Sequence, residues 1–120
     1  MALYQAALYG PNFLPTSAAA IYDSANPTTS GTSQATNVTI LKQIIVCNTD
    51  STSSTFTLYI DISGAADASD TVFSAVSLGA GETKIINTSI VLRAAQNHKV
   101  YAQASVSSKV TMTLAGLEEY

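Results

Sequence analysis

Over most of its length the chain alternates apolar and polar residues with a period of two. Phe56, Leu58, Ile60 and Ile62 alternate with Thr57, Tyr59 and Asp61, which puts the large apolar side chains on one face of a β-strand. Val100, Ala102, Ala104 and Val106 repeat the pattern against Tyr101, Gln103 and Ser105, and Val110, Met112 and Leu114 repeat it against Thr111 and Thr113. Val72, Val76 and Leu78 restart the same period after a polar loop. Two segments depart from simple alternation. Val38 to Cys47 is apolar on both faces, as expected of a strand central to a sandwich or lying under a neighbouring chain. Thr83 to Leu92 is broken by Asn87, Thr88 and Ser89, so it reads as two short strands or one bulged strand. Polar turns separate these runs at Asn48 to Ser54, Ser63 to Asp70, Gly79 to Glu82 and Ser107 to Ser108.

The first third reads differently. All three prolines, Pro11, Pro15 and Pro27, lie before residue 34, together with the polar stretch Pro27 to Ser33, and such a segment cannot form a long regular element. Leu3, Tyr4, Ala7 and Leu8 fall at helical spacing before Gly10 and Pro11, and Ala18 to Tyr22 suits one short strand. The expectation is an N-terminal arm and loop over residues 1–34 and a β-sandwich domain over residues 35–120. About seven strands with short turns predict an all-β, antiparallel sandwich of jelly-roll or immunoglobulin-like type.

Composition supports this reading and adds one feature. The chain has 120 residues, of which 47% are hydrophobic and only 11% charged. Ser and Thr, which make up about a quarter of it, favour pleated surfaces over helices. A monomer of this size normally carries more charge to keep its surface solvated, so part of the surface is expected to lie under a partner. The arm's apolar residues Leu3, Tyr4, Leu8, Tyr9, Phe13 and Leu14 are the expected interface.

Net charge is −3, and Lys42, Lys84, Arg93, Lys99 and Lys109 are scattered singly. A nucleic-acid groove or an anionic membrane surface needs clustered basic residues, so neither partner is expected. No apolar run reaches the length of a membrane span, and the N-terminus lacks the pattern of a signal peptide, which points to synthesis and retention in a cytosol.

Candidate chemistry is sparse, and no catalytic, metal or cofactor residues are assigned. Cys47 is the only cysteine, which excludes an internal disulfide, and it reads as a small buried hydrophobe. His98, the only histidine, sits among Gln96, Asn97 and Lys99 and reads as an exposed turn residue without the partners nucleophilic chemistry needs. Asp61, Asp67 and Asp70 cluster in sequence but lack the spacing of a calcium loop, and the chain has no tryptophan to stack on a sugar. The glycines of Gly79-Ala80-Gly81 lead into a strand, so they serve a hairpin and not a phosphate.

Several segments together resemble the small β-sandwich virion proteins of tailed bacteriophages. They are Ile44 to Asn48 before a Thr/Ser turn, Thr55 to Ile60, Val76 to Thr83, Val100 to Ser105 and Val110 to Glu118. The resemblance covers roughly residues 36 to 119, and it consists of strand patterns without chemistry. One departure is Gln96-Asn97-His98, where the family usually has a Gly-Asp turn; Asn also tolerates positive φ. The resemblance implies a virion component made in the host bacterial cytoplasm. It would be a homo-oligomer, with a trimer among the candidates, that binds other virion proteins through its N-terminal arm and one sandwich face to decorate a capsid or join neck, tail or fibre. The competing expectation is a receptor- or glycan-binding module using Tyr59, Tyr101 and Asp61.

Overall fold

A computed structural model describes residues 3–25, 38–61 and 68–119, with side chains from Gln5 onward. Eight strands follow one another among the described residues: β1 (Leu3–Phe13), β2 (Ala19–Asp23), β3 (Val38–Asn48), β4 (Ser54–Asp61), β5 (Thr71–Leu78), β6 (Thr83–Arg93), β7 (Lys99–Ala104) and β8 (Val110–Glu119). Among the described residues the only helical segments are single 3-10 turns at Ala68–Asp70 and Ala94–Gln96. The strands form two four-stranded sheets, sheet A in the order β1-β8-β3-β6 and sheet B in the order β2-β7-β4-β5, with every pairing antiparallel. Eight strands split evenly between two sheets, with most connections crossing from one to the other, make a jelly roll.

The core lies between the sheets. Leu41, Ile44, Val46, Met112 and Leu114 face inward from sheet A and meet Phe56, Leu58, Leu78, Val100 and Ala102 from sheet B, all fully buried. The alternation in β4, β7 and β8 thus marks the buried face as expected. It slips in two places. Asp61 is buried where Ile60 is only half-buried, and Ile62 lies outside the described residues. In β5, Val72 points to solvent and Phe73 packs on the core, its ring centroid 6.4 Å from that of Phe56. The cause is a bulge. Ser74 and Ala75 together oppose Thr57, Ala75 adopts φ 44°, and its N–H donates to Thr57 Oγ1 at 3.0 Å.

The N-terminal stretch is not a free arm. Leu3 to Phe13 is the edge strand of sheet A, paired with β8, and Ala19 to Asp23 is the edge strand of sheet B, paired with β7. Between them the Leu14 N–H donates to Val110 O and Pro15 O accepts from the Ala104 N–H, both at 2.8 Å, so the crossing itself is pinned to both sheets. The helical spacing of Leu3 to Leu8 is overridden because β8 offers an unpaired ladder on that side, and backbone pairing there outweighs the local propensity of a short isolated helix. Both sheets therefore draw strands from before and after the expected boundary at residues 34 and 35.

Candidate protein interface

The two solvent faces of the sandwich differ in chemistry. The register of sheet A arranges its outward residues in rows across the strands: Val91, Ile40, Leu117 and Gln5; then Asn87, Gln43, Ala115 and Ala7; then Ile85, Ile45 and Thr113; then Thr83, Cys47, Thr111 and Phe13. Ile85 is 60% exposed, Phe13 52% and Val91 42%. Ile40, Ile45 and Leu117 are half-buried and take no part in the core cluster. Sheet B presents a polar surface instead: Thr55, Thr57, Tyr59, Ser77, Tyr101 and Gln103.

A transverse line of irregularities bends sheet A through its middle. Leu8 of β1 and Lys42 of β3 are each unmatched opposite β8, and Thr88 with Ser89 of β6 together oppose Lys42. The bulges lie on either side of Ala115, that of β3 toward Gly116 and that of β1 toward Leu114. A Cβ on Gly116 would lie 2.1 Å from Ile40 O, so only glycine allows β3 and β8 to approach this closely. The bend opens a shallow trough lined by Gln5, Ala7, Lys42, Gln43, Asn87 and Ala115. Lys42 Nζ donates to Ser89 Oγ at 3.1 Å, and Gln43 Nε2 to Asn87 Oδ1 at 3.3 Å. The polar break that left β6 ambiguous in sequence is therefore one bulged strand.

The residues expected at an arm interface separate into distinct environments. Leu8 and Leu14 are 4% and 1% exposed in the chain's own core, which corrects them from interface to core residues. Tyr9 packs against that core, and burial raises its hydroxyl pKa. Phe13 alone among those described is exposed, and the side chains of Leu3 and Tyr4 lie outside the described residues. The larger apolar surface sits on β3, β6 and β8, strands whose apolar residues read in sequence mainly as core. The signal was present in the two-sided apolar pattern of Val38 to Cys47.

The remaining candidates resolve into structural roles. Cys47 is half-buried on the outer face of sheet A, not in the core. His98 Nδ1 accepts the Arg93 N–H at 3.0 Å and closes the turn in which Asn97 adopts φ 55°. Tyr59 and Tyr101 stand directly opposite each other on sheet B, but Asp61 is fully buried and engaged in interactions of its own. Asp70 is engaged as well, and Asp67 lies outside the described residues. No group of three His, Cys, Asp or Glu among the described residues could hold a metal ion, and no described helix is long and apolar enough to cross a membrane.

Two polar clusters fix the ends of the sandwich. At one end the Asn48 amide nitrogen lies 2.8 Å from Thr52 O, 3.1 Å from Gly79 O and 3.2 Å from Leu78 O, while its Oδ1 accepts the Asp50 N–H at 3.0 Å. Glu82 Oε1 accepts the Gly79 N–H at 2.7 Å in the adjoining turn. At the other end the Tyr22 hydroxyl bridges Thr39 and the buried carboxylate of Glu118. Burial raises the Tyr22 pKa well above its ordinary value, and the bond to Glu118 raises it further.

No family model matches the sequence, and no curated protein matches it either. Solved structures similar to the chain include a protein of Bacillus endospore appendages, described as a family of disulfide-linked pili, at TM-score 0.52 and 11% identity over 97% of this chain and 86% of that one. Another is the Drosophila NLP core, described in terms of pentamer formation and histone binding, at TM-score 0.48 and 13% identity over 98% of both chains. A third is a protein of infectious bursal disease virus, at TM-score 0.46 and 11% identity. This chain is covered over 98% of its length there but spans only 30% of the viral chain. At such identities the likeness is one of fold.

Proposed function

We propose that the chain is a structural subunit of a bacteriophage particle, a jelly roll that decorates the capsid or joins parts of the neck or tail, with no catalytic activity of its own. The observation that carries this reading is the outer face of sheet A. There Ile40, Ile45, Ile85, Val91 and Leu117 lie together with no core of their own to join. An apolar sheet face on a chain of low charge has a physical use when another protein covers it. The motifs behind the virion resemblance agree with a building-block role. Asn48, Gly79, Glu82 and Gly116 hold turns and a close strand contact. The test is mass spectrometry and electron microscopy of purified particles from cells making the chain. A stoichiometric, symmetric density that fits the jelly roll is expected, and absence of the chain from washed particles would reject the role.

A second reading, a glycan-binding module, draws on one observation: Tyr59 and Tyr101 are adjacent on the outer face of sheet B. Aromatic faces beside Gln103 and Thr57 suit a sugar, but the buried Asp61 offers it no carboxylate. Binding to a glycan array that disappears in Tyr101→Ala would favour this reading.

A further inference from the structure

We infer that the occupant of sheet A's outer face is a second copy of the same chain, packed sheet on sheet about a two-fold axis that runs along the strands between β8 and β3. The inference rests on the structural role proposed above and names the partner of that face.

The edges of the sheets are unsuited to docking. β1 carries Gly10 and Pro11, β2 has five residues, β5 is bulged at Ala75, and β6 is bulged at Thr88 and Ser89 with Lys84 and Arg93 near its ends. Proline, short length, bulges and end charges are the devices that stop strands from adding to an edge. Association is therefore left to faces. Of the two, the face of sheet A carries the larger share of exposed apolar side chains, Ile85, Phe13 and Val91 against Val72 on sheet B.

The pattern on that face is self-complementary. Its two most exposed hydrophobic residues, Ile85 and Phe13, sit on opposite edges of the sheet within two residues of the same level. A two-fold axis along the strands lays β6 of one copy over β1 of the other, so it brings Ile85 beside Phe13 twice, as an isologous contact requires. The same operation lays β3 on β8. Ile40 then meets the partner's Leu117, and Lys42 extends over the small trough floor at the partner's Ala115 and Gly116. At one end of the sheet the outward row includes Glu119, Val38 and Arg93. Reversing that row sets Arg93 about one strand spacing, roughly 4.8 Å, to the side of the partner's Glu119. Charge, small floor and apolar pairs all match under one operation.

The size is adequate. Four strands of ten or eleven residues present about 600 Å² per copy at the usual rise and strand spacing. The two copies together therefore reach the lower end of the roughly 1,200–2,000 Å² typical of a specific interface. Aligned sheets pack about 10 Å apart and within about 30° of each other, which keeps the axis within about 15° of the strand direction.

The test is sedimentation velocity of the full chain up to its solubility limit, with Ile85→Glu, Phe13→Glu and Arg93→Glu. The wild type should form a dimer or a larger even-numbered species. Each substitution should weaken association at least about tenfold, and Glu119→Arg added to Arg93→Glu should restore it. At concentrations low enough for the wild type to be monomeric, unfolding midpoints and β-type circular dichroism should match among the variants, because all of these side chains are outside the core. A wild-type chain that stays monomeric, a trimer, or association that survives Ile85→Glu would overturn the inference. Particle incorporation separates the two claims. A chain that enters particles but ignores Ile85→Glu rejects only the paired face, whereas a chain absent from particles rejects the structural role itself.

Discussion

The two outer faces of this sandwich are built from the same strand geometry and carry opposite chemistry. Sheet B turns Thr55, Thr57, Tyr59 and Gln103 to solvent, the ordinary solution for a sheet with one buried side. Sheet A turns Ile40, Ile45, Ile85 and Val91 outward, so its central strand β3 is largely apolar on both sides, like a strand buried between layers. The difference shows that a strand's periodicity reports how many of its faces are covered, and the second cover need not come from the same chain.

The largest expected effect lies in the core that the two faces share. Leu58→Ala should cost about 2 to 5 kcal/mol in chemical denaturation, the range for a fully buried leucine. Ile85→Thr, on a residue of similar bulk, should change the stability of the isolated chain by less than about 0.5 kcal/mol. A large loss at Ile85 would erase the distinction between core and outer face.

Next in size is the polar cluster between the sheets. Tyr22→Phe leaves Glu118 and Thr39 buried without their shared hydroxyl and should cost about 1 to 3 kcal/mol. The same group sets an alkaline limit. Because folding raises the Tyr22 pKa, the folded chain holds a proton that the unfolded chain releases above its ordinary pKa of 10.0. Stability should therefore fall as pH rises past that value, by at most about 1.4 kcal/mol per pH unit for this proton. Tyr22→Phe should make the decline shallower, and an identical slope in the two proteins would refute this role for Tyr22.

A smaller effect of the opposite kind is expected at Asp50. Its exposed carboxyl accepts the Ser51 N–H and the Thr52 hydroxyl, which lower its pKa. Asp50→Asn should slightly reduce stability above the ordinary carboxylate pKa of 3.8, and the difference should vanish in more acidic solution as the wild-type group is protonated.

The strands from β3 onward were legible in sequence because alternation is a local property that burial on one face enforces. Phe56, Leu58, Val100, Met112 and Leu114 all fall where the period places them. Three features were hidden. The strand character of Leu3 to Phe13 depends on the free edge of β8, which is distant in sequence. The inward turn of Phe73 depends on a bulge at an alanine with positive φ, a conformation its residue type does not advertise. Which residues form the interface is the third, because apolar residues of the proline-containing arm, which follow no regular pattern, look unsheltered in sequence. Leu8 and Leu14 find shelter in the core, while the well-patterned Ile85 and Val91 do not.

Cys47 and Gln103 allow the contrast between the faces to be measured directly, since one lies outward on sheet A and the other outward on sheet B. The measurement is the rate of maleimide labelling of Cys47 in the wild type and of Gln103→Cys in a Cys47→Ser background, each as a function of protein concentration. Labelling of Cys47 is predicted to slow as association proceeds while labelling at position 103 stays constant. Equal protection at both positions, or protection at position 103 alone, would contradict the assignment of sheet A as the covered face.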